Sequence, residues 1–447
     1  LYTARELKHQ LADSGAKCIV ILENFAHILD EVIDDTGVEH VITTGVGDLL
    51  KFPKNLLVNF VLRHVKREVP AYRLEGSVSF RHALHAGSNE QLSHVEIGLA
   101  DIAYLQYTGG TTGVSKGAML SHRNMVYNVE QSMRWQGDAY DGVEPMVAIT
   151  ALPLYHIFSL QGNCLLVMAQ GGLNVLITNP RDMPGFVKEI SKFKFNLLTG
   201  VNTMFAGLLN TAGFSDIDFG ALRVVVGGGM AVQPAVAREW AKITGKPILQ
   251  GYGLTETSPA AVCNTIDSEF TGSIGLPIPS TEAMIAGDDG NELPVGEIGE
   301  ICLKGPQVME GYWQRPAETA EVMLPGGWLR TGDIGRIDEN GFIYIEDRKK
   351  DMILVSGFNV YPNEIENVVV EMDGILEAAA IGVANEKSGE VVKIFAVRTD
   401  DSIAEQDVID YCRDNLTGYK RPKMVEFRDE QPKTNVGKSL RRALRDE

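Results

Sequence analysis

The chain has 447 residues, a length typical of about three structural units. Its 44% hydrophobic and 22% charged residues are ordinary for a globular protein, and no apolar run approaches the roughly 20 residues that a membrane-spanning helix requires. The formal net charge of −18 disfavours nucleic-acid binding, which needs a basic face. Five scattered cysteines without a Cys-x-x-Cys pair argue against a structural zinc site and favour a reducing cytoplasm.

A basic and apolar segment lies at residues 59–70, where Arg63, Lys66 and Arg67 alternate with apolar side chains. The pattern favours an ordinary short helix with a solvated basic face. Peripheral contact with the inner, anionic face of the cytoplasmic membrane is the alternative interpretation.

Short apolar runs alternate with amphipathic stretches between residues 146 and 253. Alternation of this kind predicts an α/β fold with a mainly parallel sheet. The predicted strands are residues 146–152, 173–178, 196–200, 222–226 and 247–250, and the predicted helices are residues 184–193, 203–210 and 234–244.

The pattern changes twice towards the C-terminus. From about residue 272, turn clusters between apolar runs predict a smaller, more antiparallel β region. From about residue 348 a small α+β domain is predicted. Its strands are residues 353–355, 378–383 and 393–397, and its helices are residues 362–372 and 403–416.

The segment Tyr107–Gly117 follows a predicted strand and has the composition of a phosphate-binding loop. Glycines let the backbone N–H groups approach a ligand, hydroxyl groups add donors, and Lys116 adds a positive charge. The loop is not a Walker A motif, because Gly117 follows the lysine. The predicted phosphate-binding residues are Tyr107, Thr108, Gly109, Gly110, Thr111, Thr112, Gly113, Ser115 and Lys116.

The other candidate segments indicate a function only when they are considered together. Gln250, Gly251 and Tyr252 end a strand, and Thr255 and Glu256 follow, with Glu256 a candidate ligand for Mg²⁺. The remaining candidates lie in four other segments: Gly228 and Gly229 after a strand, Asp333 after a glycine, Arg348 and Lys350 in a charge cluster with Gly357 beyond it, and Lys438 near the C-terminus.

The order and spacing of these segments resemble the adenylate-forming superfamily, and within it the bacterial long-chain fatty-acid–CoA ligases. Residues 152–158, 178–182 and 347–366 carry the likeness to that subfamily. The resemblance implies a large N-terminal domain of parallel α/β subdomains at residues 1–346, with a β-rich part at about 272–346. A hinge at 347–350 and a small mobile α+β domain at 351–447 follow. The resemblance also implies that an N-terminal segment of the family precedes Leu1.

The resemblance implies roles for the candidate residues. The loop residues around Lys116 would hold pyrophosphate. Gly228, Gly229, Gln250, Gly251 and Tyr252 would line the adenine side. Thr255 would reach the α-phosphate, Glu256 with Thr108 would hold magnesium, and Asp333 with Arg348 would bind the ribose. Lys438 would support adenylation, Lys350 would be the hinge, Gly357 would line the pantetheine tunnel, and His156 would lie near the acyl site.

The implied function is ATP-dependent activation of a long-chain fatty acid to acyl-AMP, followed by transfer to coenzyme A. ATP, Mg²⁺ and coenzyme A are the implied cofactors and co-substrates, and the implied location is the cytoplasm. A fatty-acyl-AMP ligase or another acyl- or aryl-adenylating enzyme is the enzymatic alternative. A lipid or nucleotide sensor on the same fold is the non-enzymatic one. The sequence does not indicate chain-length preference or oligomeric state.

Overall fold

The computed structural model describes residues 2–108, 115–266, 268–385, 387–433 and 441–445. The chain divides into two compact units, Leu1–Gly98 with Tyr107–Gly117, and Leu99–Gln106 with Ala118–Glu447. Among the described residues, no helix has the length and apolarity needed to cross a membrane.

The first unit is built on a three-stranded parallel sheet in the order β1-β2-β3. Its first helix is capped at both ends, by a Thr3–Glu6 capping box and by Gly15 in the left-handed conformation. The strands are β1 (Cys18–Leu22), β2 (His40–Thr44) and β3 (Val78–Ser79), and the helices are α1 (Ala4–Ser14), α2 (Ala26–Asp30), α3 (Lys54–Phe60) and α4 (Phe80–Gly87). A π-helical turn, Val61–Val65, extends α3.

Two strands flank the candidate phosphate loop. They are β4 (Ile102–Thr108) and β5 (Lys116–Ser121), which pair as a two-stranded sheet. Thr108 is therefore the last residue of one strand and Lys116 the first residue of the next.

The large sheet of the second unit has seven strands in the order β12-β11-β10-β9-β8-β6-β7. The strands β7, β6, β8, β9 and β10 are parallel, as predicted. On one side of the sheet, β11 pairs antiparallel with β10, and β12 pairs antiparallel with β11. The strands are β6 (Val147–Thr150), β7 (Leu173–Leu176), β8 (Leu197–Gly200), β9 (Val224–Gly228), β10 (Leu249–Gly253), β11 (Ala260–Cys263) and β12 (Leu276–Pro277).

Helices pack on this sheet around a core that includes the fully buried aromatic side chains Phe186, Phe205, Phe214 and Trp240. Phe186, Phe205 and Trp240 lie on the apolar faces of the three predicted helices, which confirms the α/β prediction. The helices are α5 (His122–Gln136), α6 (Ile157–Ser159), α7 (Leu166–Ala169), α8 (Met183–Ile190), α9 (Asn202–Leu209) and α10 (Pro234–Thr244), with a π-helical segment at Leu160–Leu165.

An antiparallel sheet follows, in the order β13-β14-β16-β15, with β17 paired to β16. This sheet matches the predicted antiparallel β region. Its elements are β13 (Glu282–Ala286), β14 (Gly299–Lys304), α11 (Pro316–Val322), β15 (Met323–Leu324), β16 (Trp328–Ile337) and β17 (Ile343–Arg348).

The C-terminal part is an α+β arrangement with its own apolar core. Its sheet has the order β19-β18-β21-β20, and β22 pairs with β21 in parallel. The elements are β18 (Ile353–Val355), β19 (Phe358–Val360), α12 (Pro362–Val370), β20 (Ile375–Asn385), β21 (Gly389–Arg398), α13 (Glu405–Asn415), β22 (Met424–Phe427) and α14 (Arg441–Arg445).

Candidate functional site

At the carboxyl ends of β9 and β10, Gly228, Gly229 and Gly251 expose backbone without side chains and form a glycine strip. Gly228 is the parallel partner of Gly251, and Gly229 has a φ of +79°. A Cβ atom on Gly228 would lie 2.9 Å from the ring of Phe158 and 3.1 Å from the carbonyl oxygen of Gly251. Only glycine therefore leaves this edge open, and such edges are where planar ligands approach the backbone of α/β sheets.

Gln250 lies in β10, but its side chain bonds to protein backbone. The amide of Val232 donates to Oε1 at 3.0 Å, and Nε2 donates to the carbonyl oxygen of Ser273 at 2.9 Å. The side chain is buried, and both of its polar atoms are satisfied within the fold. These contacts hold the Gln250 side chain in place beside the glycines, and its predicted position on the adenine side stays a prediction.

Asp333 is the centre of a buried polar cluster. It is the cross-strand partner of Arg348 in the β16–β17 ladder, and its Oδ1 lies 3.4 Å from Arg348 Nε. Tyr252 donates from its hydroxyl group to Asp333 Oδ2 at 2.7 Å. Burial raises the pKa of Tyr252 well above its ordinary value, and the charge of Asp333 adds to the shift, so the phenol stays protonated. The structure thus brings three predicted residues together.

The turn before Asp333 is held by Glu300, a residue that the sequence did not single out. Its Oε1 accepts from the amide of Gly332 at 3.0 Å, and its Oε2 accepts from Arg330 Nη2 at 2.7 Å. Gly332 has a φ of +73°, which favours glycine. Glu300 is on the neighbouring strand β14, so only the strand pairing reveals this support.

Glu256 lies in a single 3₁₀ turn, Thr255–Thr257, between β10 and β11. Tyr312 donates from its hydroxyl group to Glu256 Oε1 at 2.7 Å, and the amide of Met309 donates to the carbonyl oxygen of Glu256 at 2.8 Å. Burial, together with the charge of Glu256, raises the pKa of Tyr312. The carboxylate is therefore held at a fixed place by residues from a distant segment.

The donor chemistry near Glu256 suits a magnesium ion carried by a phosphate ligand. Mg²⁺ keeps waters and substrate oxygens and takes only one or two protein carboxylates. In the described part of the chain, no group of three or more histidine, cysteine, aspartate and glutamate side chains is placed to hold a metal ion by itself.

His156 precedes the short helix α6 and is half-buried. Its Nδ1 accepts from the amide of Phe158 at 3.3 Å. This bond caps the helix that places the Phe158 ring over Gly228. The structure thus gives His156 a positioning contact beside the glycine strip.

Within the first unit, helix α1 contacts both ends of the candidate phosphate loop. Tyr107 donates from its hydroxyl group to Asp13 Oδ2 at 2.7 Å, and His9 Nε2 lies 3.0 Å from the carbonyl oxygen of Ser115. These two contacts were not predicted, because nothing local in the sequence of α1 marks them. The predicted residues Gly109, Gly110, Thr111, Thr112 and Gly113 lie outside the described residues.

The predicted hinge and tunnel residues lie further along the chain. Lys350 is in the turn between β17 and β18, where burial lowers its pKa and the positive charge of Arg348 lowers it further. Ser356 and Gly357 both have positive φ, +52° and +84°, and form the two-residue turn between β18 and β19. Lys438 lies outside the described residues.

Comparison with known proteins agrees with this geometry. The profile of the AMP-binding enzyme family matches residues 1–313, and the profile of the AMP-binding enzyme C-terminal domain matches residues 364–438. A long-chain-fatty-acid–CoA ligase of Escherichia coli O6:H1 is 57% identical over 448 residues, which cover 100% of this chain and 80% of that protein. A long-chain-fatty-acid–CoA ligase of Haemophilus influenzae is 54% identical over 450 residues, with the same coverage of 100% and 80%.

A solved structure with the same fold is ATP-bound MatB from Rhodopseudomonas palustris. It is 30% identical, has a TM-score of 0.83, and is matched over 100% of this chain and 82% of that chain. The apo form of the same protein, also 30% identical, has a TM-score of 0.70 over 100% of this chain and 81% of that chain. The resemblance inferred from the order and spacing of these segments is confirmed, and this chain belongs to the AMP-binding enzyme family of adenylate-forming proteins.

Proposed function

We propose that this chain is a long-chain fatty-acid–CoA ligase that uses ATP, Mg²⁺ and coenzyme A. The observation that carries the proposal is the identity of more than half of all aligned residues, over the whole chain, with ligases of that name. The cluster of Tyr252, Asp333 and Arg348 supports it, because the carboxylate of Asp333 and the cation of Arg348 suit a ribose with an attached phosphate.

The reaction has two steps. A carboxylate oxygen of the fatty acid attacks the α-phosphorus of ATP, and the bond to the β-phosphate oxygen breaks, which gives acyl-AMP and pyrophosphate. The sulfur of coenzyme A then attacks the acyl carbonyl carbon, its proton is lost, and AMP leaves. Both steps depend on positioning and charge neutralisation by the protein more than on covalent chemistry.

The proposed residue roles in the first step rest on the family resemblance, and the contacts that hold Glu256 support them. Lys116 and the hydroxyl groups of Thr108 and Ser115 neutralise and bind the pyrophosphate end. Thr255 reaches the α-phosphate. Glu256, held by Tyr312, and Thr108 are the proposed protein ligands of Mg²⁺, which offsets phosphate charge when bound.

The second step requires the small domain to move. The proposed domains are residues 1–346 and 351–447, joined at 347–350, and Lys350 is the proposed turning point. Lys438 bridges the acyl carboxylate and the nucleotide in the first step and leaves the site in the second, when Gly357 lines the pantetheine tunnel. The open two-residue turn at Gly357, with no atom within 4 Å of a built Cβ, supports that assignment.

The function is tested by measuring AMP release with acids from acetate to oleate, with and without coenzyme A. We expect release that depends on coenzyme A and is fastest with long chains. Release that ignores coenzyme A would favour a fatty-acyl-AMP ligase, and activity only on short or aromatic acids would favour another acyl- or aryl-adenylating enzyme. Tight binding of ATP or oleate without turnover would indicate a sensor.

We also propose that the enzyme works in the cytoplasm and touches an anionic membrane surface through the first unit. Helix α3 and its π-helical extension expose large apolar side chains. Between Lys51 and Arg67 there are five basic residues and no acidic residue, in a chain of net charge −18. The exposed fractions are 76% for Leu49, 79% for Phe52, 58% for Leu56, 63% for Leu57, 58% for Phe60 and 67% for Val65.

Such a basic and apolar surface suits the interface of an anionic bilayer. Sedimentation with phosphatidylglycerol vesicles should retain the wild-type chain and lose the variant Leu57→Glu/Phe60→Glu, with little retention on phosphatidylcholine. Leu92→Glu is the control, since Leu92 is 94% exposed elsewhere in the same unit. Equal retention of all three proteins, or a change of oligomeric state in the double variant without vesicles, would refute the membrane assignment.

A further inference from the structure

A buried cluster of charges lies where β17 ends, at the start of the proposed hinge, and the proposed mechanism assigns no role to its contacts. Its centre is Asp347, whose side chain is fully buried. Around it lie Asp351 in the following turn, Asn363 and Glu366 on α12, and Arg441 at the start of α14. Charged side chains are rarely buried unless they are paired, so each contact in this cluster helps to offset the cost of burying its charges.

Arg441 uses all three of its guanidinium nitrogens. Nε and Nη2 donate to the two carboxylate oxygens of Glu366 at 2.9 and 2.7 Å. Nη1 donates to Asp347 Oδ1 at 3.1 Å and to Asp351 Oδ2 at 3.4 Å, and Nη2 also donates to Asn363 Oδ1. A lysine, with a single ammonium group, cannot make this set of bonds.

Asp347 receives bonds from both sides of the proposed hinge. The amide of Arg348 donates to Oδ1 at 2.7 Å, and the amide of Asn363 donates to Oδ2 at 2.7 Å. Arg348 in turn pairs with Asp333, and Arg441 follows Lys438 by three positions in the sequence. Asp347 therefore connects the strand that carries the ribose-side residues to the C-terminal segment that carries the adenylation lysine.

A rotation at Lys350 would keep some of these contacts and break others. Glu366, Asn363 and Arg441 all follow the hinge and would move together, so the Arg441–Glu366 pair would persist. Asp347 precedes the proposed turning point, Lys350, and would separate from Arg441. Separating a buried carboxylate from its guanidinium partner is strongly unfavourable, so the Asp347–Arg441 pair favours the arrangement described here.

We infer that Arg441 is a positioning residue that, through Asp347, holds the enzyme in the arrangement for adenylation and must release Asp347 before thioester formation. The inference rests on the proposed function. The assignment to the adenylation step follows from similarity, since the chain matches ATP-bound MatB with a TM-score of 0.83 and the apo form with 0.70.

The test separates the two half-reactions in the full chain. Adenylation is measured as oleate-dependent exchange of pyrophosphate into ATP, and thioester formation is measured with supplied oleoyl-AMP and coenzyme A. Asp347→Asn and Arg441→Gln should each lower the ratio of adenylation to thioester rates at least tenfold, about 1.4 kcal/mol. The double variant should show no further loss, because the two residues act through one contact.

Arg445→Gln is the matched control, because Arg445 lies on the same helix and pairs with Asp351 at 3.1 Å without reaching Asp347. Its ratio should stay within about twofold of the wild type. Asp347→Asn keeps the Arg441–Glu366 pair and so guards against simple unfolding of Arg441→Gln. An equal fall of both half-reactions, a larger fall of thioester formation, or additive effects would overturn the inference. A wild-type chain without oleate-dependent activity would instead refute the proposed function.

Discussion

At the scale of single residues, the hydroxyl group of Tyr252 has a role apart from its ring. It donates to the buried carboxylate of Asp333 at 2.7 Å. Tyr252→Phe keeps the ring but removes this hydrogen bond. We expect the KM for ATP to rise about tenfold, since a hydrogen bond to a charged group contributes about 1.5–3 kcal/mol, while kcat changes less.

Steady-state kinetics at saturating oleate and coenzyme A check this prediction. Tyr344→Phe is the control, because the hydroxyl group of Tyr344 donates a long bond of 3.4 Å to Asp338, in the turn of the β16–β17 hairpin. An unchanged KM for ATP in Tyr252→Phe would show that the hydroxyl group does not support the ribose site.

Asp347 gives the charge cluster a pH dependence. Burial raises its pKa to about 6, against the opposing charge of Arg441 and two backbone donors, and Glu366 raises it slightly more. Because the pKa is above the ordinary value of 3.8, folding favours the protonated form, and the contribution of Asp347 to stability becomes more favourable as pH falls from 6 towards 3.8. The ion pair with Arg441 weakens over the same range.

The ratio of adenylation to thioester rates should therefore fall as the pH is lowered through 6. The other charges that face Asp347 are Asp351 in the turn, Arg348 on β17 and Glu366 on α12. Asp347→Asn removes the titrating group and leaves these in place, so its ratio should be low and independent of pH in this range. A variant that kept the wild-type pH profile would assign the dependence to another group.

At the scale of secondary-structure elements, the turn that presents Glu256 depends on close backbone packing. The β10–β11 pairing is irregular between Tyr252 and Gly253. A Cβ atom on Gly253 would lie 1.7 Å from the carbonyl oxygen of Pro259. This oxygen belongs to the backbone, so it cannot turn away as the end of a flexible side chain could. Gly253→Ala must therefore separate the two strands or unfold the turn.

We expect Gly253→Ala to lower the melting temperature by several degrees, since a misfit of this kind costs about 1–3 kcal/mol, and to reduce adenylation as Glu256 shifts. Gly245→Ala tests for backbone strain alone. Gly245 has a φ of +70° at the end of α10, and nothing lies within 4 Å of its built Cβ. Equal melting temperatures for the two variants would contradict the packing argument.

The elements that the sequence predicted are those with a clear local pattern. The parallel strands β6 to β10 and helices α8 to α10 follow from apolar runs and amphipathic stretches, with bounds within three residues of the predicted ones. The candidate site was predicted only in part. Asp333 and Arg348 carry motifs, but the bonds from Tyr312 to Glu256 and from the amide of Val232 to Gln250 depend on the tertiary packing of distant segments. No local pattern in the sequence indicates such contacts.

At the scale of the whole molecule, two half-reactions share one active site, and the proposed hinge divides the residues between them. Lys438 is assigned to adenylation and Gly357 to thioester formation, so their variants should fail in opposite steps. Lys438→Ala should lower oleate-dependent pyrophosphate release at least a hundredfold, about 2.7 kcal/mol. It should form thioester from supplied oleoyl-AMP at a rate near that of the wild type.

Gly357→Leu should do the reverse, because a bulky side chain at an open turn would fill the proposed tunnel without touching the nucleotide. Gly357→Ala separates bulk from strain, since alanine shares the penalty of a φ of +84° but adds one carbon. Lys433→Ala is the control for charge in the C-terminal segment, because Lys433 pairs with Glu377 at 2.6 Å on β20. Two outcomes would contradict the assignment of Lys438 to adenylation and Gly357 to thioester formation. One is an equal loss of both half-reactions in Lys438→Ala, and the other is a block of the thioester step in Gly357→Ala as full as in Gly357→Leu.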